Sequence, residues 1–363
     1  DADSEDSECD ETRHKNKAAA TEDGTLGEEN KGDETKDDAV AHRTRSADKL
    51  SASTVNERPP ALTNYLTIDF DKRERAQLEF EAQLPEERRE KNRQAFVAEI
   101  NGIVDSRSVS VPVPLPPGHK AVKSTVVPKF KADGRIKHRC CPKGFMQRPG
   151  QNYDDTRIYA PVVEKTTIRA MLSIGNSTRA RMRQADCVMA FLNAELVEEV
   201  YMYAPPGVEI GTDEHGHPLV FRLLKAVYGL KQSPAEWNHL IDAWLKGEGY
   251  TQSSYDPCFY FAWRDKAGAL LGADETPDRM VHDFFMCGLH VDDFLVVTSS
   301  STWDKEFITA ISERFETKDL GEPNDLLGMK VERDEKKGTL KLSCPRVLTD
   351  LLKSTGTTDA FPA

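Results

Sequence analysis

The sequence predicts an α+β fold, an antiparallel sheet with helices packed on one face. Three observations carry this. The stretch Phe284–Thr298 (FFMCGLHVDDFLVVT) sets two adjacent carboxylates, Asp292 and Asp293, between apolar runs of strand length, the pattern of a hairpin with acids at its tip. Strand-like runs, amphipathic helical periods and hairpins follow one another along the chain, the layout of a sheet with helices laid against it. The acids fall on strands rather than helices, with Asp186 inside the otherwise apolar MRQADCVMAF.

Residues 1–60 are acidic, Ser/Thr-rich and almost free of aromatics, so they are expected to be disordered. Apolar positions begin with Tyr65, Leu66, Ile68 and Phe70. A helix is expected over Pro85–Val104, with Phe96, Val97 and Ile100 on one side. VPVPLPPG (111–118) is an extended connector. Ala121–Phe130 and Arg135–Cys141 form a hairpin around Asp133-Gly134. Thr166 or Thr167 can cap a helix carrying Ile168, Met171, Leu172 and Ile174, which Gly175 and Asn176 end or weaken. Met182–Phe191 is a strand running into a turn. Strand segments flank a polar loop at 211–218. The clearest helix starts at Ser233 as N-cap, with Pro234 next and Glu236 completing a capping box; Gly247 and Gly249 stop it. Cys258–Trp263 is a short aromatic strand, residues 264–283 a polar insertion. Ser301 caps a helix with Trp303, Phe307, Ile311 and Phe315. Short strands at Asn324–Val331 and Thr339–Leu342 precede a partial helix, Val347–Leu352.

The 363 residues suffice for one large domain or two to three small ones. No run of eighteen or more apolar residues occurs, so no spanning helix and no membrane partner is expected. Seven cysteines, an odd number without CxxC spacing, are expected to be reduced thiols of an intracellular protein with no zinc site. The first residue is Asp rather than Met, which suggests a piece of a longer polyprotein. A net charge of −12 argues at first against nucleic acid, but residues 1–50 alone hold 16 acids against eight Lys/Arg. Between Lys120 and Arg148 nine Lys/Arg stand against the single acid Asp133, and such a segment can bind phosphate.

An Asp-Asp pair between strands is usually just a turn. The alternative is a metal-binding pair, which needs a third acid. Asp186 supplies one if its strand neighbours the hairpin. Three clustered carboxylates would raise one another's pKa, and two Mg²⁺ ions would neutralise them for phosphoryl transfer, with the basic hairpin clamping a triphosphate.

At this point an ordered series of motifs resembles the reverse transcriptase domain of copia-type LTR retrotransposon Pol polyproteins. It comprises Lys143-Gly144-Phe145 with Gln147, Tyr153-Asp154, Ala160-Pro161-Val162-Val163 with Thr166-Thr167-Ile168-Arg169, and Asp186 with Ala190-Phe191-Leu192-Asn193. Glu198-Glu199-Val200-Tyr201-Met202, Pro205-Pro206-Gly207 and Lys225 to Gln232 (KAVYGLKQ) follow, then Asp256-Pro257-Cys258, Val291-Asp292-Asp293 and Lys318-Asp319-Leu320-Gly321-Glu322. The resemblance runs from about residue 90 to the C-terminus. It implies a right-hand polymerase with an antiparallel-sheet palm, β-rich fingers and a truncated thumb. The boundaries it suggests are a linker over 1–60, a connecting helical segment over 61–110, fingers and palm over 111–339, and the start of the thumb over 340–363.

The resemblance also implies RNA- or DNA-templated DNA synthesis from dNTPs with Mg²⁺ (two ions; Mn²⁺ is an alternative). Asp186, the Cys187 carbonyl, Asp292 and Asp293 match the metal ligands. Arg139 and Lys143 match basic positions at the triphosphate. Ala190 and Phe191 match the nucleotide pocket, with Phe191 as the gate that excludes a 2′-hydroxyl. Gln232 falls in the template-and-nucleotide motif, and Lys318 matches a late basic residue. Implied partners are a primed template, dNTPs, and the integrase and RNase H of a full element. The implied location is cytoplasmic, in a virus-like particle, or nuclear, and not secreted.

The chain departs from the family at His290, where Tyr is usual, at Cys140-Cys141-Pro142, at Val188 and at Ala235. Pro142 removes a backbone donor from its strand. Two readings stay open: an active polymerase, and an inactive relic or domesticated nucleic-acid-binding module. A metal-dependent nuclease would have no use for the aromatic gate.

Overall fold

The computed structural model describes residues 65–131, 134–272 and 275–357. The expected disorder of residues 1–60 and the Asp133 turn residue lie outside them. The described residues belong to one compact unit. In chain order the elements are β1 (Thr67–Ile68), α1 (Arg75–Ala82), α2 (Glu86–Asp105), β2 (Ser124–Phe130), β3 (Ile136–Pro142), α3 (Lys165–Ser177), β4 (Arg181–Cys187), β5 (Glu195–Tyr203), β6 (Val208–Glu209), β7 (Val220–Lys225), α4 (Ser233–Gly247), β8 (Thr251–Gln252), β9 (Phe259–Arg264), β10 (Asp283–His290), β11 (Asp293–Thr298), α5 (Trp303–Arg314), β12 (Thr317–Gly321), β13 (Asp325–Leu326), β14 (Met329–Asp334), β15 (Thr339–Ser343) and α6 (Pro345–Thr355).

The central sheet has the order β12-β4-β11-β10-β9-β8 and is antiparallel throughout. Helices cover both of its faces, which corrects the single-face expectation. Side chains alternate across a strand. On one face Gly288, Met182 and Val297 lie against Ile168, Met171 and Gly175 of α3. On the other, Phe285 stacks on Trp303 and Phe307 of α5, Phe294 meets Phe307, and Trp244 of α4 packs on Phe307. The reason was visible in the strands. Phe284–Leu289 and Phe294–Thr298 are buried without interruption, as strands covered on both sides are.

A second core joins Phe96, Ile100 and Val104 of α2 to Val126 of β2, Cys140 of β3 and Phe221 and Leu223 of β7. Buried and part-buried polar contacts accompany it. Glu81 of α1 accepts from Arg73 (2.7 Å), Asn92 (2.8 Å) and Arg93 (2.9 Å), and His138 Nε2 lies 2.9 Å from Asn92 Oδ1.

Three helix starts differ from the expected caps. The Ser233 hydroxyl donates to the Val227 carbonyl (2.7 Å), so Ser233 is the first helical residue and Gln232 the N-cap. Thr167 donates to Asp256 (2.6 Å), and α3 begins after Glu164. At α5 the Ser300 hydroxyl, not Ser301, accepts from the Thr302 and Trp303 amides. Each hydroxyl goes where a tertiary partner is fixed, which local sequence does not reveal.

Candidate active site

The β10–β11 hairpin turns through Val291 and Asp292, and Asp293 is the first residue of β11, opposite His290. Asp293 also pairs across the sheet with Asp186 on β4, and the Cys187 amide donates to the Asp292 carbonyl (2.8 Å). The sheet thus brings the backbones of all three acids to one end. Val291 holds φ at +59°, a left-handed conformation costly for a β-branched residue. The Trp237 indole of α4 donates to its carbonyl at 2.6 Å and fixes the turn.

All three carboxylates are half-buried. Burial pushes the acids of Asp186 and Asp293 above the usual range, and the Asp292 charge pushes both further. The side chains do not close on one another: among the described residues no three His, Cys, Asp or Glu side chains are grouped as metal ligands.

Cations surround the group. Lys318 on β12 sits opposite Asp186, and the charges of Lys318, Lys137 and Lys131 draw its acid back down. The basic hairpin, with Lys129, Lys131, Arg135, Lys137 and Arg139, and Arg346 of α6 line one cavity of about 720 Å³. The Arg139 guanidinium lies over the Tyr228 ring, 4.8 Å from its centre, and Tyr228 packs on buried Phe191 at 4.7 Å. Two glycines permit this approach. A β-carbon on Gly144 would stand 2.1 Å from the Gly229 carbonyl oxygen, and one on Gly229, at φ +107°, would stand 2.4 Å from that of Pro142.

Residues 108–363 match the family described as reverse transcriptase (RNA-dependent DNA polymerase). The chain belongs to the reverse transcriptase family. It is similar to the retrovirus-related Pol polyprotein from transposon TNT 1-94 of Nicotiana tabacum, 33% identical over 255 residues, 69% of this chain and 18% of that protein. It is also similar to the Pol polyprotein from transposon RE2 of Arabidopsis thaliana (31% over 275 residues, 74% and 17%). The transposon Ty1-NL2 Gag-Pol polyprotein of Saccharomyces cerevisiae is 26% identical over 240 residues, 64% of this chain and 12% of that protein. The chain therefore spans under a fifth of the length of these curated relatives.

This reverse transcriptase domain places its expected site residues unevenly. Asp186, Cys187, Asp292, Asp293 and Lys318 share one end of the sheet. Arg139 and Phe191 meet through Tyr228, and Ala190 is buried beside Phe191. Lys143 is held elsewhere, paired with Glu74 of the upstream segment at 2.9 Å. Gln232 is buried in an amide network, donating to the Asn152 carbonyl and accepting from Gln147, both at 2.8 Å. Lys137 and Tyr228 were not singled out from sequence. Lys137 shares Arg139's strand face two residues away, so the period of two was its signal. Tyr228 had none beyond its motif. Pro142 is the last residue of β3, where the missing donor interrupts nothing, since the Lys143 amide donates to the Lys123 carbonyl (2.7 Å). Among the described residues no helix is long and apolar enough to cross a membrane.

Proposed function

We propose that this domain extends a primer on an RNA or DNA template from dNTPs as part of a longer Pol polyprotein. The central sheet would be the palm and the basic hairpin the fingers. One observation carries the reading: three acids share one sheet end, and the charges of Lys318, Lys137 and Lys131 act on Asp186, the last two from the cation-lined cavity. Asp186, Asp292, Asp293 and the Cys187 carbonyl are hard oxygen donors suited to Mg²⁺ or Mn²⁺. Divalent cations bound there would supply Lewis-acid activation of the primer hydroxyl and neutralise the leaving oxygen.

The chain's own residues do the rest. Lys137, Arg139 and Lys131 offset the triphosphate charge, and the charged fork of Arg139 orients it. Phe191, backed by Tyr228, sets the surface under the sugar, where a 2′-hydroxyl would collide. Lys318 keeps the Asp186 side of the site from accumulating uncompensated negative charge. Integrase and RNase H in the same polyprotein and an intracellular site of action follow from this reading.

Divalent-metal-dependent incorporation of dNTPs into an RNA-templated DNA primer tests it, with Asp292→Asn and Asp186→Asn as controls. Incorporation that is lost in both variants supports polymerase chemistry. Equal, background-level incorporation in all three proteins sinks it. Primer–template binding that persists and weakens with salt would then support a nucleic-acid-binding module.

A further inference from the structure

Glu99 lies on α2, upstream of the stretch that matches the family. Its Oε1 accepts the Cys140 amide N–H at 2.8 Å. Among the described residues strand β3 pairs only with β2, and at its other edge the Glu99 carboxylate takes the position a neighbouring strand would hold. Cys140 directly follows Arg139, so this bond fixes the backbone from which the guanidinium reaches Tyr228. Glu99 also lines a small cavity together with Lys137, Arg139, Met189 and Tyr228. Lys137 and Arg139 lie on one strand face and repel each other; burial pushes the Glu99 acid up, and the Cys140 amide and the charges of Lys137 and Arg139 draw it back down.

We propose that Glu99 is a positioning residue for nucleotide binding: it holds the Cys140 amide and balances Lys137 and Arg139, so that both cations and the Tyr228 ring stand ready for an incoming triphosphate. The α2 helix is then a wall of the nucleotide pocket as well as a support. Glu99 itself, an anion, does not contact the phosphates. This rests on the polymerase reading above.

Two variants separate its two roles. Glu99→Gln keeps an oxygen acceptor for the Cys140 amide and drops the charge. Glu99→Ala drops both. In RNA-templated incorporation by the full chain, Glu99→Ala should raise the KM for dNTP about tenfold, the loss of one well-placed hydrogen bond and its consequences, while kcat stays within about twofold. Glu99→Gln should recover most of that, with KM within about threefold of wild type. The Kd for primer–template should not move in either. A merely structural role would lower kcat, loosen primer–template and reduce Tm together, and that pattern overturns the proposal, as does a Glu99→Ala protein with unchanged KM. If wild type shows no Asp292-dependent incorporation, the polymerase reading falls instead. The proposal is then decided by titration with a fluorescent dATP analogue, where Glu99→Ala must weaken binding about tenfold and Glu99→Gln must not.

Discussion

Replacing Glu81 by Gln removes the charge from a buried acid that accepts three side-chain hydrogen bonds. Its side chain is 7% exposed and accepts hydrogen bonds from Arg73, Asn92 and Arg93. Burial alone would raise its acid, yet the bonds from Arg73, Asn92 and Arg93 outweigh burial and hold it at about 2, against an ordinary 4.5. A group whose folded pKa is depressed adds stability above its unfolded pKa and loses it as pH falls through the folded one. Two and a half pKa units correspond to about 3 kcal/mol. Breaking a buried pair from one side costs a similar amount, about 3–5 kcal/mol, because the Arg73 side chain, 2% exposed, would be left without its counter-ion. We expect Glu81→Gln to lose about 3 kcal/mol at pH 7, measured by urea denaturation. The gap to wild type should narrow from about pH 4.5 downward and nearly vanish near pH 2. A loss below about 1 kcal/mol, or one that does not change with pH, would refute the reasoning.

Three further outcomes are expected. Burial, then the nearby Arg73 charge, holds the His138 imidazole neutral down to about pH 4, so wild-type stability should fall between pH 6.5 and 4 by up to about 3 kcal/mol. His138→Gln should flatten that slope in denaturation curves taken across the range. Trp237→Phe deletes the indole bond to Val291 and should cost about 1 kcal/mol in chemical denaturation. It should also slow primer extension without altering primer–template affinity, because the acidic turn loses its clamp. Gly175→Ala places a β-carbon 2.6 Å from the Met182 methyl and 2.8 Å from a Val297 methyl, and should cost about 1–3 kcal/mol, read as a lowered Tm.

Much of the site was legible because acids are out of place in apolar strands. Asp186 and the Asp292-Asp293 tip stood out for that reason, and their motifs completed the family assignment. The helices α2, α4 and α5 were legible from their apolar periods. The helix α1 was not, since its buried residues are Gln77 and Glu81, which leave no hydrophobic stripe to find. Serine and threonine caps misled because a hydroxyl follows whichever acceptor the tertiary fold brings near, as Val227 is brought to Ser233. Gly175 and Asn176 read as ending or weakening the helix; α3 continues to Ser177, and the glycine is also a spacer against the sheet. Lys143 belonged to a motif, and only the fold shows that Glu74 engages it.

The seat of Phe96 has a practical consequence. Alignment with the family begins at residue 108, yet Val126, Cys140, Phe221 and Leu223 bury themselves against a helix that ends at Asp105. A protein cut at the alignment boundary would keep every acid and every motif, and would still carry an open apolar trench along its second core. The stretch that the family model matches is shorter than the compact unit that buries this core. Expression trials should therefore start before Tyr65, and a fragment beginning at 108 that proves insoluble would say nothing about its chemistry.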